Sequence, residues 1–148
     1  MPEAAEAPLL AFDYGARRIG VALGIPLTHT ASPLTTLTCP ALDAPPWAAI
    51  DALLREWRPG RLLVGLPEQR PEAAPLLAAI RRFAAELGQR YNLPVEFVDE
   101  RLSSREASER LRQLRQAGRK RRIRKQEIDA QAAAILVESW LMHRTHAP

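Results

Sequence analysis

The sequence has few of the residues that several classes of protein depend on. It has one cysteine, Cys39, which excludes an internal disulfide and predicts a reducing compartment, the cytoplasm. Its three histidines, His29, His143 and His146, lack metal-ligand spacing, and no Gly-x-x-x-x-Gly-Lys phosphate loop occurs. No apolar run approaches the roughly 20 residues of a membrane span. Residues 1–8 also lack the basic-then-apolar pattern of a signal peptide.

Length and composition indicate one ordinary globular domain. The chain has 148 residues, 47% hydrophobic and 26% charged, which is enough to bury a single core. We expect residues 1–8 to form a disordered lead-in, residues 9–142 a single domain and residues 143–148 a tail. We expect a monomer or a weak dimer with no membrane partner.

Positive charge is concentrated in one segment. From Arg101 to Lys125 there are eleven Lys or Arg residues against two acids, over half of the chain's 21 basic residues. Arginine dominates, and its planar guanidinium suits bidentate contact with phosphate oxygens. A solvated helix face followed by a charged loop would produce the same pattern. Because a dense run of like charges repels itself, an anionic partner is the more economical explanation, and we expect nucleic acid.

The stretch over residues 9–24 organises the predicted fold. Four apolar residues run into Asp13, a short turn containing glycine and arginine follows, and a second apolar run ends on glycine. This pattern predicts two strands joined by a hairpin, the first of them buried on both faces. Residues 26–38 predict a third strand, in which Pro33 indicates an edge or a break.

Helices and strands alternate in the rest of the chain. Apolar spacing predicts helices over residues 47–57, 71–91, 103–118 and 127–142, and strands over residues 61–65 and 94–98. Ser103 and Glu106 have the spacing of a capping box, so the third helix should start there. The basic run over residues 119–125 has no apolar stripe and predicts a loop. The order implies an α/β fold, a mixed five-stranded sheet with helices on both faces.

Carboxylates follow the predicted strands at the edge where open sheets bind ligands. Asp13 ends the first strand, Asp99 and Glu100 end the last, and Asp129 joins them if the final helix docks at the same edge. Converging carboxylates repel one another unless hard cations neutralise them, and Mg²⁺ or Mn²⁺ fits because these ions prefer oxygen ligands. Two such ions about 3.5–4 Å apart promote phosphodiester hydrolysis. With its arginine-rich flank, the chain is predicted to be a metal-dependent nuclease.

Each acid also has a simpler explanation. Asp13, two residues before a glycine, is typical of a hairpin turn. Asp129 near the start of a helix is favoured by the helix dipole. Asp99 and Glu100 with Arg101 would form a surface ion-pair cluster of little energetic value. These alternatives stay open at the level of the sequence.

Four blocks of sequence, taken together, resemble one known family. They are residues 12–15 with 18–22, residues 64–67, residues 99–104 with 107, and residues 128–129 with 132–133 and 135–136. In this order they resemble the YqgF family, the RuvX-like pre-16S ribosomal RNA nucleases, also described as Holliday-junction-resolvase-like. The resemblance covers residues 9–141.

The resemblance implies a ribonuclease H-like fold and divalent-metal hydrolysis of nucleic acid. It implies that the catalytic and metal-binding set is Asp13, Asp99 or Glu100, and Asp129. We favour Glu100 as the metal ligand, because its longer side chain can reach inward from just past the strand end. The resemblance also implies a role in maturing the 5′ end of small-subunit ribosomal RNA in the bacterial cytoplasm.

We expect basic residues on either side of the acids to hold the nucleic-acid backbone. These are Arg17, Arg18, Arg101, Arg119, Lys120, Arg121, Arg122, Arg124 and Lys125. One segment departs from the family. After Gly-Leu-Pro the family carries a polar loop with Asp-Gly, whereas residues 68–72 here are Glu-Gln-Arg-Pro-Glu. We therefore carry no substrate role over to this loop.

Two other functions compete with the nuclease. A nucleic-acid-binding factor that does not cut, acting on RNA, branched DNA or transcription complexes, would need only the basic run. A phosphotransferase built on the strand-Asp-x-Gly hairpin would need two lobes, and this chain supplies one. Basic residues bind either polymer, so the sequence does not distinguish RNA from branched DNA.

Overall fold

One mixed sheet runs through the computed structural model, which describes residues 7–102, 104–120 and 124–145. Its strands are β1 (Leu9–Tyr14), β2 (Arg18–Ile25), β3 (Thr30–Thr38), β4 (Arg61–Leu66) and β5 (Val95–Asp99). Their order is β3-β2-β1-β4-β5, antiparallel from β3 to β1 and parallel from β1 to β5. The predicted mixed five-stranded sheet is confirmed. Pro33 lies on the edge strand β3, beside a register shift, where a missing N–H is tolerated.

Four α-helices cover the sheet within the described residues. They are α1 (Trp47–Trp57), α2 (Ala74–Tyr91), α3 (Arg105–Arg119) and α4 (Lys125–Thr145). Helices α1 and α2 pack on one face of the sheet and α4 on the other, as predicted. Helix α3 packs on α4, and Arg110 Nη2 lies 2.5 Å from Glu138 Oε2 between them.

The face under α1 and α2 is filled by large side chains. Phe12 on β1 meets Phe83 on α2 with ring centroids 5.6 Å apart, and Ile50 and Leu87 close the same cluster. All four side chains are almost completely buried. Burying a side chain of this size contributes about 1.5–3 kcal/mol, so this cluster is a main source of stability.

The face under α4 has small residues where the helix comes closest to the sheet. Gly20 and Ala22 on β2 and Ala11 on β1 face Ala133 and Ala134 of the helix. A Cβ on Gly20 would lie 1.9 Å from the carbonyl oxygen of Asp129, which no side chain allows. Helix α4 therefore lies directly on the sheet, and its first turns are held at β2 and β3.

Several predicted boundaries are wrong by a few residues. Residues 26–28 form a 3-10 turn before β3, and a second 3-10 turn over residues 71–73 precedes α2. The N-cap of α3 is Ser104, whose Oγ accepts a hydrogen bond from the Ala107 N–H at 3.0 Å. Glu106 is thus not a capping-box partner, and the predicted cap Ser103 lies outside the described residues.

The ends of the basic segment and of the last helix also differ from prediction. Arg119 is the last residue of α3 and Lys125 is the first of α4, so both predicted loop residues are helical. Helix α4 continues to Thr145, which places residues 143–145 in the helix rather than in a tail. Past residue 142, His143 Nδ1 lies 2.7 Å from the Ser139 carbonyl oxygen and the Arg144 guanidinium lies 5.1 Å from the centroid of the Trp140 ring, and these contacts along the helix continue its last turn. No helix among the described residues is long and apolar enough to cross a membrane.

Candidate active site

Strand alternation places Asp13 and Glu100 on the same side of the sheet. On β1, Leu9 and Ala11 face α4, so Asp13 faces it too. On β5, Val98 faces α4, and the same alternation directs Glu100, two residues later, toward the helix. Glu100 begins a 3-10 turn, and its Oε1 would lie 3.5 Å from a Cβ on Gly65 of the neighbouring strand. The absence of a side chain at Gly65 leaves room for the carboxyl group.

Asp13 and Glu100 form a hydrogen-bonded carboxyl pair. Burial, the largest cause, and the charges of Glu100 and Asp129 together raise the pKa of Asp13 to about 7. Burial also raises the pKa of Glu100. The bond between them raises the pKa of Asp13 and lowers that of Glu100. A carboxyl pair with raised pKa values is characteristic of functional sites.

Asp129 reaches this pair from α4. It lies in the second turn of the helix, where its carbonyl stands over Gly20, the residue opposite Asp13 on β2. Its charge acts on Asp13, but its Oδ2 accepts a hydrogen bond from Arg18 Nε at 2.5 Å. The structure thus brings together Asp13, Glu100 and Asp129, as the sequence predicted, with one acid held by an arginine.

Asp99 lies apart from these three acids. Its two carboxylate oxygens accept hydrogen bonds from the Arg101 side chain, the shortest at 2.7 Å, and Oδ1 also accepts from the Arg101 N–H. These bonds lower the pKa of Asp99. By strand alternation Asp99 faces away from α4. For this residue the predicted surface ion-pair cluster is the observed arrangement.

The donor chemistry at the site fits a hard divalent cation. Three carboxylates supply oxygen ligands, and the mutual repulsion that raises the pKa of Asp13 is what a cation would relieve. As the side chains stand, no three Asp, Glu, His or Cys residues in the described part of the chain are gathered as around a bound ion. The third carboxylate, Asp129, is instead paired with Arg18.

Arg115 on α3 is a site residue that the sequence analysis missed. Its positive charge acts on both Asp13 and Glu100 and opposes the rise in their pKa values. The signal in the sequence was helical spacing. Arg115 follows Leu111 by four residues and the buried Ala107 by eight, so it lies in line with them along α3, with its own side chain exposed.

The predicted nucleic-acid-binding residues occupy three segments beside the acids. Arg17 is exposed in the β1–β2 turn, and Arg18 follows it at the start of β2. Those at the junction of α3 and α4 are all exposed: Arg119, Lys120, Arg124 and Lys125. Arg101 is engaged by Asp99. Arg121 and Arg122 lie outside the described residues. The divergent loop over 68–72 carries an exposed pair in which Arg70 Nη2 lies 2.9 Å from Glu68 Oε2.

The sequence matches one family over nearly its whole length. A model of the RuvX family, described as Holliday junction resolvase, matches residues 7–143. The chain belongs to the RuvX family. It is 44% identical over 146 residues to a Xanthomonas campestris protein, covering 95% of this chain and 94% of that one. It is 46% identical over 134 residues to a Nitrosococcus oceani protein, covering 90% and 85%. Both relatives carry the name "Putative pre-16S rRNA nuclease".

Solved structures confirm the ribonuclease H-like fold of this RuvX-family chain. Thermus thermophilus RuvC in complex with a Holliday junction substrate superposes with a TM-score of 0.59 at 15% identity, covering 95% of this chain and 96% of RuvC. The yeast mitochondrial Holliday junction resolvase gives a TM-score of 0.51 at 12% identity, covering 97% and 83%. At these identities the likeness concerns the fold.

Proposed function

We propose that this RuvX-family protein is a divalent-metal-dependent nuclease with Asp13, Glu100 and Asp129 as its metal-binding and catalytic set. The observation that carries the proposal is the convergence of these three carboxylates from β1, β5 and α4, distant segments of the chain. Mg²⁺ or Mn²⁺ is the cofactor that this donor set favours. Partly buried acids that repel one another destabilise the fold, which supports a functional reason for their placement.

Different residues of the chain have different roles in the proposed hydrolysis. When bound, the cation supplies Lewis-acid polarisation of the phosphodiester and neutralises developing negative charge. Asp13 and Glu100 hold one proton between them, so the pair must release it to bind a cation fully. Arg115, close to this pair, is placed to counter the charge of an approaching phosphate. The exposed basic residues of the β1–β2 turn and the α3–α4 junction hold the nucleic-acid backbone.

The proposed substrate is the 5′ end of pre-16S ribosomal RNA in the bacterial cytoplasm. The names of the relatives at 44% and 46% identity support this choice. The family's description supports branched DNA instead. Cleavage of a precursor fragment containing the 5′ end of the mature RNA, compared with cleavage of a four-way DNA junction, distinguishes the two polymers.

The decisive experiment compares four carboxylate variants on the precursor RNA with Mn²⁺. Asp13→Asn, Glu100→Gln and Asp129→Asn should each reduce cleavage by at least about a hundredfold, as loss of a preorganised charge does. Asp99→Asn is the matched control, because that carboxylate is engaged by Arg101, and it should change the rate by less than about threefold. Full activity of Asp13→Asn would contradict the proposal.

A non-cutting nucleic-acid-binding factor is the second candidate. The pairing of Asp129 with Arg18 and the absence of a metal-binding cluster among the described residues favour it. If this function is the correct one, RNA binding should survive EDTA and Asp13→Asn. Replacing Arg119, Lys120, Arg124 and Lys125 with glutamine should then weaken binding strongly and flatten its salt dependence, with no cleavage under any metal.

A further inference from the structure

Arg18 is hydrogen-bonded to Asp129, the carboxylate of the site that does not belong to the Asp13–Glu100 pair. It is the first residue of β2, and alternation with Gly20 and Ala22 directs its side chain toward α4. Its Nε lies 2.5 Å from Asp129 Oδ2, across 111 residues of sequence. The contact lies beside the acids rather than on a remote surface, because Gly20 is opposite Asp13.

The backbone on both sides of this contact is fixed. The carbonyl of Arg18 accepts a hydrogen bond from the Gly15 N–H at 2.9 Å, and Arg18 pairs with Thr38 on β3. Asp129 is held by the seating of α4 on Gly20. Only the two side chains are free to change partner, and they are 33% and 25% exposed, so water and ions reach them.

We propose that, in the metal-free protein, Arg18 takes the place of a metal ion at Asp129. A divalent ion must displace Arg18 from Asp129 to complete the site. This inference rests on the proposed metal-dependent function. In the metal-free protein the Arg18 guanidinium neutralises Asp129. When an ion takes Asp129, Arg18 loses its carboxylate and becomes available to a phosphate, the other anion that guanidinium binds well. Arg18 is thus a positioning residue that links metal binding to phosphate binding.

Metal affinity of arginine variants tests the exchange directly. Arg18→Gln should bind Mn²⁺ about fivefold more tightly than the unaltered protein in calorimetric titration, because a partly exposed ion pair no longer competes. Arg17→Gln removes the same charge from the adjacent exposed position and should leave the affinity unchanged. Arg115→Gln removes a charge near Asp13 and Glu100, and should tighten binding by less than Arg18→Gln does. Equal or weaker binding by Arg18→Gln would overturn the proposal, since Arg18 would then only orient Asp129.

A second measurement needs no substitution. In the unaltered protein labelled with ¹⁵N, the Arg18 Nε–H resonance should be protected from solvent exchange without metal, and should lose that protection as Mg²⁺ is added. The Arg18 signal could instead stay protected while the backbone amide signals of Asp13 and Glu100 shift at saturating Mg²⁺. That result would overturn the displacement of Arg18 and leave the metal site intact. If neither the unaltered protein nor Arg18→Gln binds Mn²⁺, the metal-dependent function fails and the exchange fails with it.

Discussion

The two faces of the sheet are built on opposite principles. Under α1 and α2, large side chains such as Phe12 and Phe83 interlock away from the site. Under α4, residues without bulk bring the helix onto the strands, and every acid of the candidate site lies on this side. The comparison indicates that the α1–α2 face provides stability, whereas the α4 face positions the acids of the site. Substitutions on the first should therefore alter unfolding, and substitutions on the second should alter the site.

The largest expected effect is on the α1–α2 face. Phe83→Ala removes a ring that contacts Phe12, Tyr14 and Trp47, so it should lower the free energy of unfolding by about 3–5 kcal/mol. Urea unfolding measures this loss. Cleavage per folded molecule should stay within about twofold of the unaltered rate, because Phe83 lies on the opposite face of the sheet from the acids. A variant that stays folded but loses cleavage would contradict the division between the faces.

The next effect concerns the closest approach on the α4 face. Gly20→Ala puts a Cβ within 1.9 Å of the Asp129 carbonyl oxygen, so α4 must move. We expect a loss of about 3 kcal/mol in unfolding free energy and at least a hundredfold loss of cleavage, because Asp129 moves with the helix. Gly88→Ala is the matched control. Gly88 lies inside α2, and a Cβ there would be no closer than 3.7 Å to a neighbouring atom. This substitution should therefore stabilise the protein by up to about 1 kcal/mol. Normal cleavage by Gly20→Ala would show that the seating of α4 does not position Asp129.

The third effect is a gain in stability rather than a loss, and it depends on pH. The pKa of Asp13 is raised from 3.8 to about 7, so the folded protein binds more protons than the unfolded chain between these values. The stability of the metal-free protein should therefore fall as the pH rises from about 4 to about 7. Asp13→Asn carries no charge, so in EDTA at pH 8 it should be more stable by on the order of 2 kcal/mol. Thermal unfolding measures this gain, which should vanish near pH 4. An equal gain at both pH values would mean that the carboxylate charge is not its cause.

The smallest effect concerns α3, which lies outside both faces and carries Arg115. Ser104→Ala removes the Oγ that accepts from the Ala107 N–H and should cost about 1 kcal/mol of unfolding free energy. Ser108→Ala is the control, since this exposed serine lies inside the helix and should change stability by less than about 0.5 kcal/mol. Equal effects at the two positions would mean that Ser104 does not cap α3.

The strands and the candidate acids could be read from short stretches of sequence, but the choice between Asp99 and Glu100 could not. Phe97 and Val98 are both apolar, so the alternation that points Glu100 toward α4 is invisible in the sequence. In the structure Val98 is buried under α4, whereas Phe97, on the edge strand, is 47% exposed. The same limit applies to Arg115, whose importance depends on where α3 docks.

By itself the sequence determined the elements, because apolar runs, helical spacing and glycine-rich turns act over a few residues. The hairpin containing Asp13 and the helix containing Asp129 follow from such local patterns. Only the tertiary structure decided that Arg18 meets Asp129 and that Glu100 reaches Asp13, because both contacts join distant segments. The first exists because α4 lies directly on Gly20, where a missing side chain sets the distance between helix and sheet. The second exists because β1, β4 and β5 are neighbours in the sheet and the missing side chain of Gly65 leaves room for the Glu100 carboxyl group.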